Sequence, residues 1–156
     1  MLPAYKTILC CHGFGTQATE VLRHAFGIAK CYDARVVIIH VLEPPNPQAQ
    51  HMLDTYLPPE KFAEFREAAM QSVVTDIGVH VGEACGDACR SLLREVKVLE
   101  GRPADRVLQE AKDLGADLIV MGSHRHSTVG ELLLGSTAHR VTQQSPVPVL
   151  LVRLTD

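Results

Sequence analysis

A doubly wound α/β domain around a five-stranded parallel sheet is the fold this sequence predicts, and three observations predict it. Five short apolar runs are spaced along the chain, at residues 5–11, 35–42, 96–100, 117–122 and 147–152. Two of them, through Val36-Val37-Ile38-Ile39 and Leu118-Ile119-Val120-Met121, are continuous rather than alternating, the pattern of strands covered on both faces. The segments between the runs are long enough for crossover helices.

Taken in order, the run 5–11 is followed by a helix expected over 16–32. Its stripe is Ala18, Val21, Leu22, Ala25, Ile28 and Ala29, with Thr16 placed to cap the free N–H groups. After the second run, residues 43–59 contain five prolines, so the first half of that segment reads as an exposed loop. Residues 60–94 form a long helical stretch interrupted by Gly78, Gly82 and Gly86, either one bent helix or two. A helix beyond the third run starts at Pro103, carries Ala104, Val107, Leu108, Ala111 and Leu114, and stops at Gly115. The last helix spans about 137–144 and ends before Ser145-Pro146.

The 156 residues suit a single domain, 1–156, without repeats or low-complexity tracts. A chain of this size buries roughly 68–70% of its unfolded surface, so neither disulfides nor metals are needed to hold it. A formal charge of −3 argues against a dedicated nucleic-acid partner. Small anions remain open as ligands, because backbone N–H groups bind them whatever the net charge. Met1-Leu2-Pro3-Ala4-Tyr5-Lys6 has none of the features of a signal peptide, and no run approaches the roughly 20 apolar residues of a membrane span. Five cysteines, an odd number with Cys10 and Cys11 adjacent, fit reduced thiols. The expected location is cytoplasmic.

The chemistry concentrates in residues 121–138, beginning where the fourth run ends, which is where open α/β sheets bind ligands. Gly122 is expected to let the backbone turn sharply and present N–H groups. Gly135-Ser136-Thr137 opens the last helix, whose free N–H groups, hydroxyls and dipole make an anion site. No lysine follows, so this is not a P-loop. Glycine at a strand end and Ser or Thr at a helix start are also ordinary punctuation.

The same residues resemble the universal stress protein family. Its nucleotide-binding members carry a glycine, two residues, a glycine, nine residues, then glycine and Ser or Thr; here these positions are Gly122, Arg125, Gly135 and Ser136. Tyr5-Lys6-Thr7-Ile8-Leu9 looks like the family's first strand, Ile38-Ile39-His40-Val41 like its second, and Leu99-Glu100-Gly101-Arg102-Pro103 like the exit of its third. Ala116-Asp117-Leu118-Ile119-Val120-Met121-Gly122-Ser123 is similar to the fourth, and Pro146-Val147-Pro148-Val149-Leu150-Leu151-Val152 to the closing strand. The resemblance covers almost the whole chain. It implies a Rossmann-like fold of the adenine nucleotide alpha hydrolase type, with strand order 3-2-1-4-5. It also implies a homodimer paired through the C-terminal strand, Val147 to Val152; an apolar edge there invites such pairing.

The resemblance further implies ATP or another adenine nucleotide as ligand, with or without Mg²⁺. The nucleoside would meet Cys11, Gly13 and Val41. The phosphates would lie along Gly122, Ser123, His124, Arg125, His126 and Thr128, and against Gly135, Ser136, Thr137 and Ala138. Two positions depart from the pattern. Gly13 stands where ATP-holding members have an aspartate near the nucleoside. Arg125 replaces the second glycine, and either blocks a φ > 0 conformation or neutralises phosphate oxygens.

His124 and His126 are either donors near phosphate or exposed loop residues. Asp105 and Glu131 have no fixed geometry in the sequence, no catalytic residue is assigned, and no metal site is expected. Cys85 and Cys89, with His80 about one turn before, read as half a metal site, a redox pair or small buried core residues. Three roles follow. The first is a regulatory nucleotide-binding module of the stress response, switching the proline-rich loop or the dimer surface. The others are a weak ATP hydrolase or self-phosphorylating enzyme on the same site, and a ligand-free dimeric interaction protein.

Overall fold

The computed structural model describes residues 1–13, 17–123 and 134–154. In chain order the elements are β1 (Thr7–Cys11), α1 (Ala18–Tyr32), β2 (Arg35–Leu42), α2 (Pro47–Tyr56), α3 (Pro59–Cys85), α4 (Asp87–Arg90), β3 (Leu93–Glu100), α5 (Pro103–Leu114), β4 (Leu118–Ser123), α6 (Ser136–Gln144) and β5 (Val149–Arg153). The five strands form one parallel sheet in the order β3-β2-β1-β4-β5. Ile8 lies opposite Val36 on one side and Leu118 on the other, and Ile119 lies opposite Val149.

The side-chain period of two divides the core between the two faces of this sheet. One set, including Ile8, Cys10, Ile38 and Val120, packs against Val21, Leu22 and Phe26 of α1 and Val73, Ile77 and Val81 of α3. The other, including Leu9, Ile39 and Ile119, packs against Val107 and Ala111 of α5 and Ala138 and Val141 of α6. The continuous apolar runs of β2 and β4 are therefore apolar on both faces because both faces are covered. Asp117 fixes the start of β1: its Oδ2 accepts from the backbone N–H of Lys6 at 2.7 Å and of Thr7 at 2.9 Å.

The structure moves several expected boundaries. β1 begins at Thr7, and β3 begins at Leu93 rather than residue 96. Arg94 and Glu95 are charged and exposed, which hid the first half of this edge strand from a search for apolar runs. The N-cap of α1 is Gln17, without a side-chain cap bond; Thr16, expected in that role, lies outside the described residues. Gly115 stops α5 with φ 60° and ψ 42°, as expected.

The proline-rich segment is a loop only at its start. Asn46 accepts from Ala49 N–H through its side chain at 2.8 Å and Pro47 takes a first helical position, so α2 forms where the prolines suggested a loop. The long stretch beyond is one helix through Gly78 and Gly82, and it ends before Gly86. Because α2 has no buried residue, its cap matters more than its packing. Asn46→Ala is expected to cost about 1 kcal/mol of local stability. It should speed hydrogen exchange across α2 while leaving the global unfolding midpoint nearly unchanged.

Candidate functional site

β1 and β4 are neighbours in the sheet, but the chain leaves them toward opposite faces, into α1 and α6. A crevice of about 670 Å³ lies at the carboxyl ends of these two strands, where the helices that follow them cover opposite faces. One wall is Cys11, His12 and Gly13 with Gln17 and Ala18. A second is Ile39, His40 and Val41 of β2. A third is Met121 and Gly122 of β4, with Gly135, Ser136, Thr137 and Ala138 at the start of α6. Pro103 and Val107 of α5 close the far side.

The structure thus brings Cys11, Gly13, Val41, Gly122, Gly135, Ser136, Thr137 and Ala138 to one crevice. Ser123 is placed differently. Its Oγ donates to the Val152 carbonyl at 3.3 Å and accepts from Leu154 N–H at 3.4 Å, so it ties β4 to the end of β5. His124, Arg125, His126, Thr128 and Glu131 lie outside the described residues. Asp105 is engaged by Arg140 at 2.5 Å.

Gly122 is needed for a reason other than the sharp turn expected of it. It is a paired β4 residue opposite Val152 with no positive φ. A Cβ there would stand 2.7 Å from Leu154 Cδ1 and 3.3 Å from Val21 Cγ2, so its missing side chain lets Val21 of α1 and Leu154 close over the strand. At α6 the N-cap is Gly135, which has no side chain to satisfy the first-turn N–H groups. That leaves donors and the positive end of the helix dipole facing the crevice.

Sequence reasoning missed a chain of three imidazoles behind this wall. His12 Nδ1 lies 3.0 Å from His40 Nδ1, and His12 Nε2 lies 2.7 Å from His80 Nδ1. His12 and His40 are buried, at 7% and 2% exposure. Burial, then the neighbouring rings of His40 and His80, lowers the pKa of His12 to about 4. Burial also lowers that of His40, against an opposing hydrogen bond with the His12 backbone and the Asp76 carboxylate. At neutral pH His12 is therefore a neutral ring, donating through one nitrogen and accepting through the other. A polar residue inside the apolar run of β2 was the one available signal; partners 28 and 68 residues away are not visible as spacing.

The cysteines divide into two kinds. Burial raises Cys10 well above an ordinary thiol and Cys11 to about 12, so the Cys11 at the crevice is a protonated thiol, not a nucleophile. Cys85 and Cys89 correct two expectations, reduced thiols throughout and a buried pair. They are joined as a disulfide, Cys89 fully buried and Cys85 exposed. The helix breaks between them at Gly86, which brings their Cα atoms to 5.6 Å.

Comparison with known proteins finds relatives of the same fold. The model of the universal stress protein family matches residues 4–153. The "Universal stress protein in QAH/OAS sulfhydrylase 3'region" of Thermus aquaticus is 32% identical over 150 residues, covering 96% of this chain and 99% of its own. The structure of the protein MJ0577 superposes with a TM-score of 0.75 at 23% identity, covering 99% of both chains. A universal stress protein solved in complex with cAMP superposes with a TM-score of 0.62 at 22% identity, covering 97% of this chain and 98% of that one.

Proposed function

The chain belongs to the universal stress protein family, and from that premise we propose that its crevice holds ATP or another adenine nucleotide. In this reading the protein is a small cytoplasmic regulatory module of the stress response, whose surface changes with nucleotide occupancy. The nucleoside packs against Cys11, Gly13 and Val41, and the phosphates meet the start of α6 at Ser136, Thr137 and Ala138. The resemblance adds His124, Arg125, His126 and Thr128 as phosphate contacts, and Mg²⁺ accompanies a triphosphate.

The observation that carries the reading is the meeting of uncapped N–H donors at α6 with the end of β4 across one crevice. The related protein bound to cAMP supports an adenine ligand. A homodimer through the C-terminal strand belongs to the same proposal, supported by the half-buried apolar residues Val149, Leu150 and Leu151 on an edge strand. Binding rather than turnover is the proposed role; among the described residues of the crevice, burial keeps the Cys11 thiol protonated.

Thermal unfolding with AMP, with ATP, and with ATP plus Mg²⁺ tests this. At ten times Kd a ligand of the folded state adds about 1.4 kcal/mol. For a chain of this size that raises Tm by about 3–6 °C. An unchanged Tm with all three, at millimolar concentration, overturns the reading.

A further inference from the structure

We propose that Cys85 and Cys89 are a reversible dithiol–disulfide switch, exchanging with small-molecule disulfides and setting the contact of α3 with the crevice wall. The bridge spans only Gly86, Asp87 and Ala88. Closing so short a loop removes little entropy from the unfolded chain, and the two-sided core does not need it. A structural staple is therefore a poor account of it.

The two cysteines differ in exposure as residues, as an exchanging pair requires. Cys85 is exposed, while Cys89 is fully buried among the residues under α3. The exposed thiolate attacks a disulfide RS–SR, forming Cys85–S–SR and releasing RS⁻. The Cys89 thiolate then attacks the Cys85 sulfur, forms the internal bridge and releases the second RS⁻. Two thiols are oxidised, one external disulfide is reduced to two thiols, and two protons leave the protein. Excess external thiol reverses both steps.

The location gives the exchange a consequence. Gly86, at φ 57° and ψ −137°, ends α3 between the two cysteines, so the bridge spans the helix break itself. Just upstream, His80 bonds His12 in the crevice wall at 2.7 Å. Glu83 accepts from Thr19 Oγ1 at 3.1 Å, and its carbonyl accepts from Arg23 Nη2 at 3.3 Å. Oxidation ties the last turn of α3 to α4 beside these contacts with His12, Thr19 and Arg23; reduction frees it to fray from Gly86 upward.

The test uses the full chain with Cys31→Ser, since Cys31 is exposed and would link molecules. The protein is equilibrated across ratios of reduced to oxidised glutathione, alkylated, and weighed by mass spectrometry. Cys85 and Cys89 should gain and lose alkyl groups together through one midpoint, while Cys10 and Cys11 stay constant. Hydrogen exchange of residues 76–86 should rise several-fold on reduction, and Cys85→Ser should match the reduced form in any buffer. A pair that stays reduced or stays bridged at every ratio overturns the switch. Equal exchange of residues 76–86 in both states overturns its link to the crevice. Neither readout uses a nucleotide, so the switch stands or falls apart from the binding proposal.

Discussion

Lowering the pH from neutrality to about 4 is expected to cost the fold about 3 kcal/mol through His12 alone. In the unfolded chain this ring takes up a proton near pH 6.5; in the folded one it resists until about 4, because it is buried between two other imidazoles. Between those values the unfolded state binds more protons, so acid pulls the equilibrium toward it. The contribution is fully present above pH 6.5 and is lost as pH falls through the window to 4. His40, whose pKa is also lowered, acts in the same direction. The groups facing the pair from α3 are His80 and Asp76, and of these only the Asp76 carboxylate opposes the effect on His40. Guanidinium midpoints of wild type and His12→Gln, at neutral pH and near pH 4.5, give the measurement. Glutamine keeps a donor and an acceptor but does not titrate. It should lower stability at neutral pH and flatten the fall with acid, the carboxylates being common to both proteins. Equal losses in the two proteins would show that the ring does not resist its proton.

The sheet was legible wherever burial on both faces made a strand apolar throughout. β2, β1 and β4 are central, and their residues Val36, Leu9 and Ile119 have no exposed surface. Legibility fell off toward the edge, where Arg94 and Glu95 could face water without cost and so disguised β3. α2 was hidden because proline breaks helices in the interior but is welcome at their first position, and only the partner of Asn46 distinguishes the two cases. The glycines of α3 posed the opposite problem. Each costs about 1 kcal/mol against alanine, yet Val73, Ile77 and Val81 are buried at helical spacing and hold the helix through Gly78 and Gly82.

The crevice was legible for a topological reason. Residues at the carboxyl ends of neighbouring parallel strands must meet, so Cys11, Gly13 and Gly122 could be placed together from the order of strands. Contacts set by tertiary packing were not legible. His80 comes from a helix 68 residues beyond His12, and nothing local marks the approach. Nor did spacing reveal that Ser123, in line with the other strand-end residues, turns to β5 instead. The cysteine pair stood between these cases, since the spacing suggested a shared face and the break at Gly86 decided the bridge.

Gly13→Asp is expected to tighten adenosine binding by about 10–100-fold if the nucleoside sits where we propose. Gly13 lines the crevice at the end of β1, and a Cβ built there meets nothing within 4 Å. Its φ is not in the left-handed region, so a side chain fits without strain. A carboxylate at this point would accept hydrogen bonds from ribose hydroxyls, and a bond to a charged group is worth about 1.5–3 kcal/mol. The same charge repels phosphates across the crevice, so the gain should shrink from adenosine to AMP to ATP. Gly13→Ala separates charge from bulk: it should leave affinity unchanged and the fold no less stable, because the space is open. Calorimetric titration of the three proteins with adenosine, AMP and ATP reads all of these outcomes. If the aspartate and the alanine variants bind adenosine equally well, the sugar does not lie against the end of β1. The ligand would then have to be sought along the other walls, at Pro103 and the start of α6.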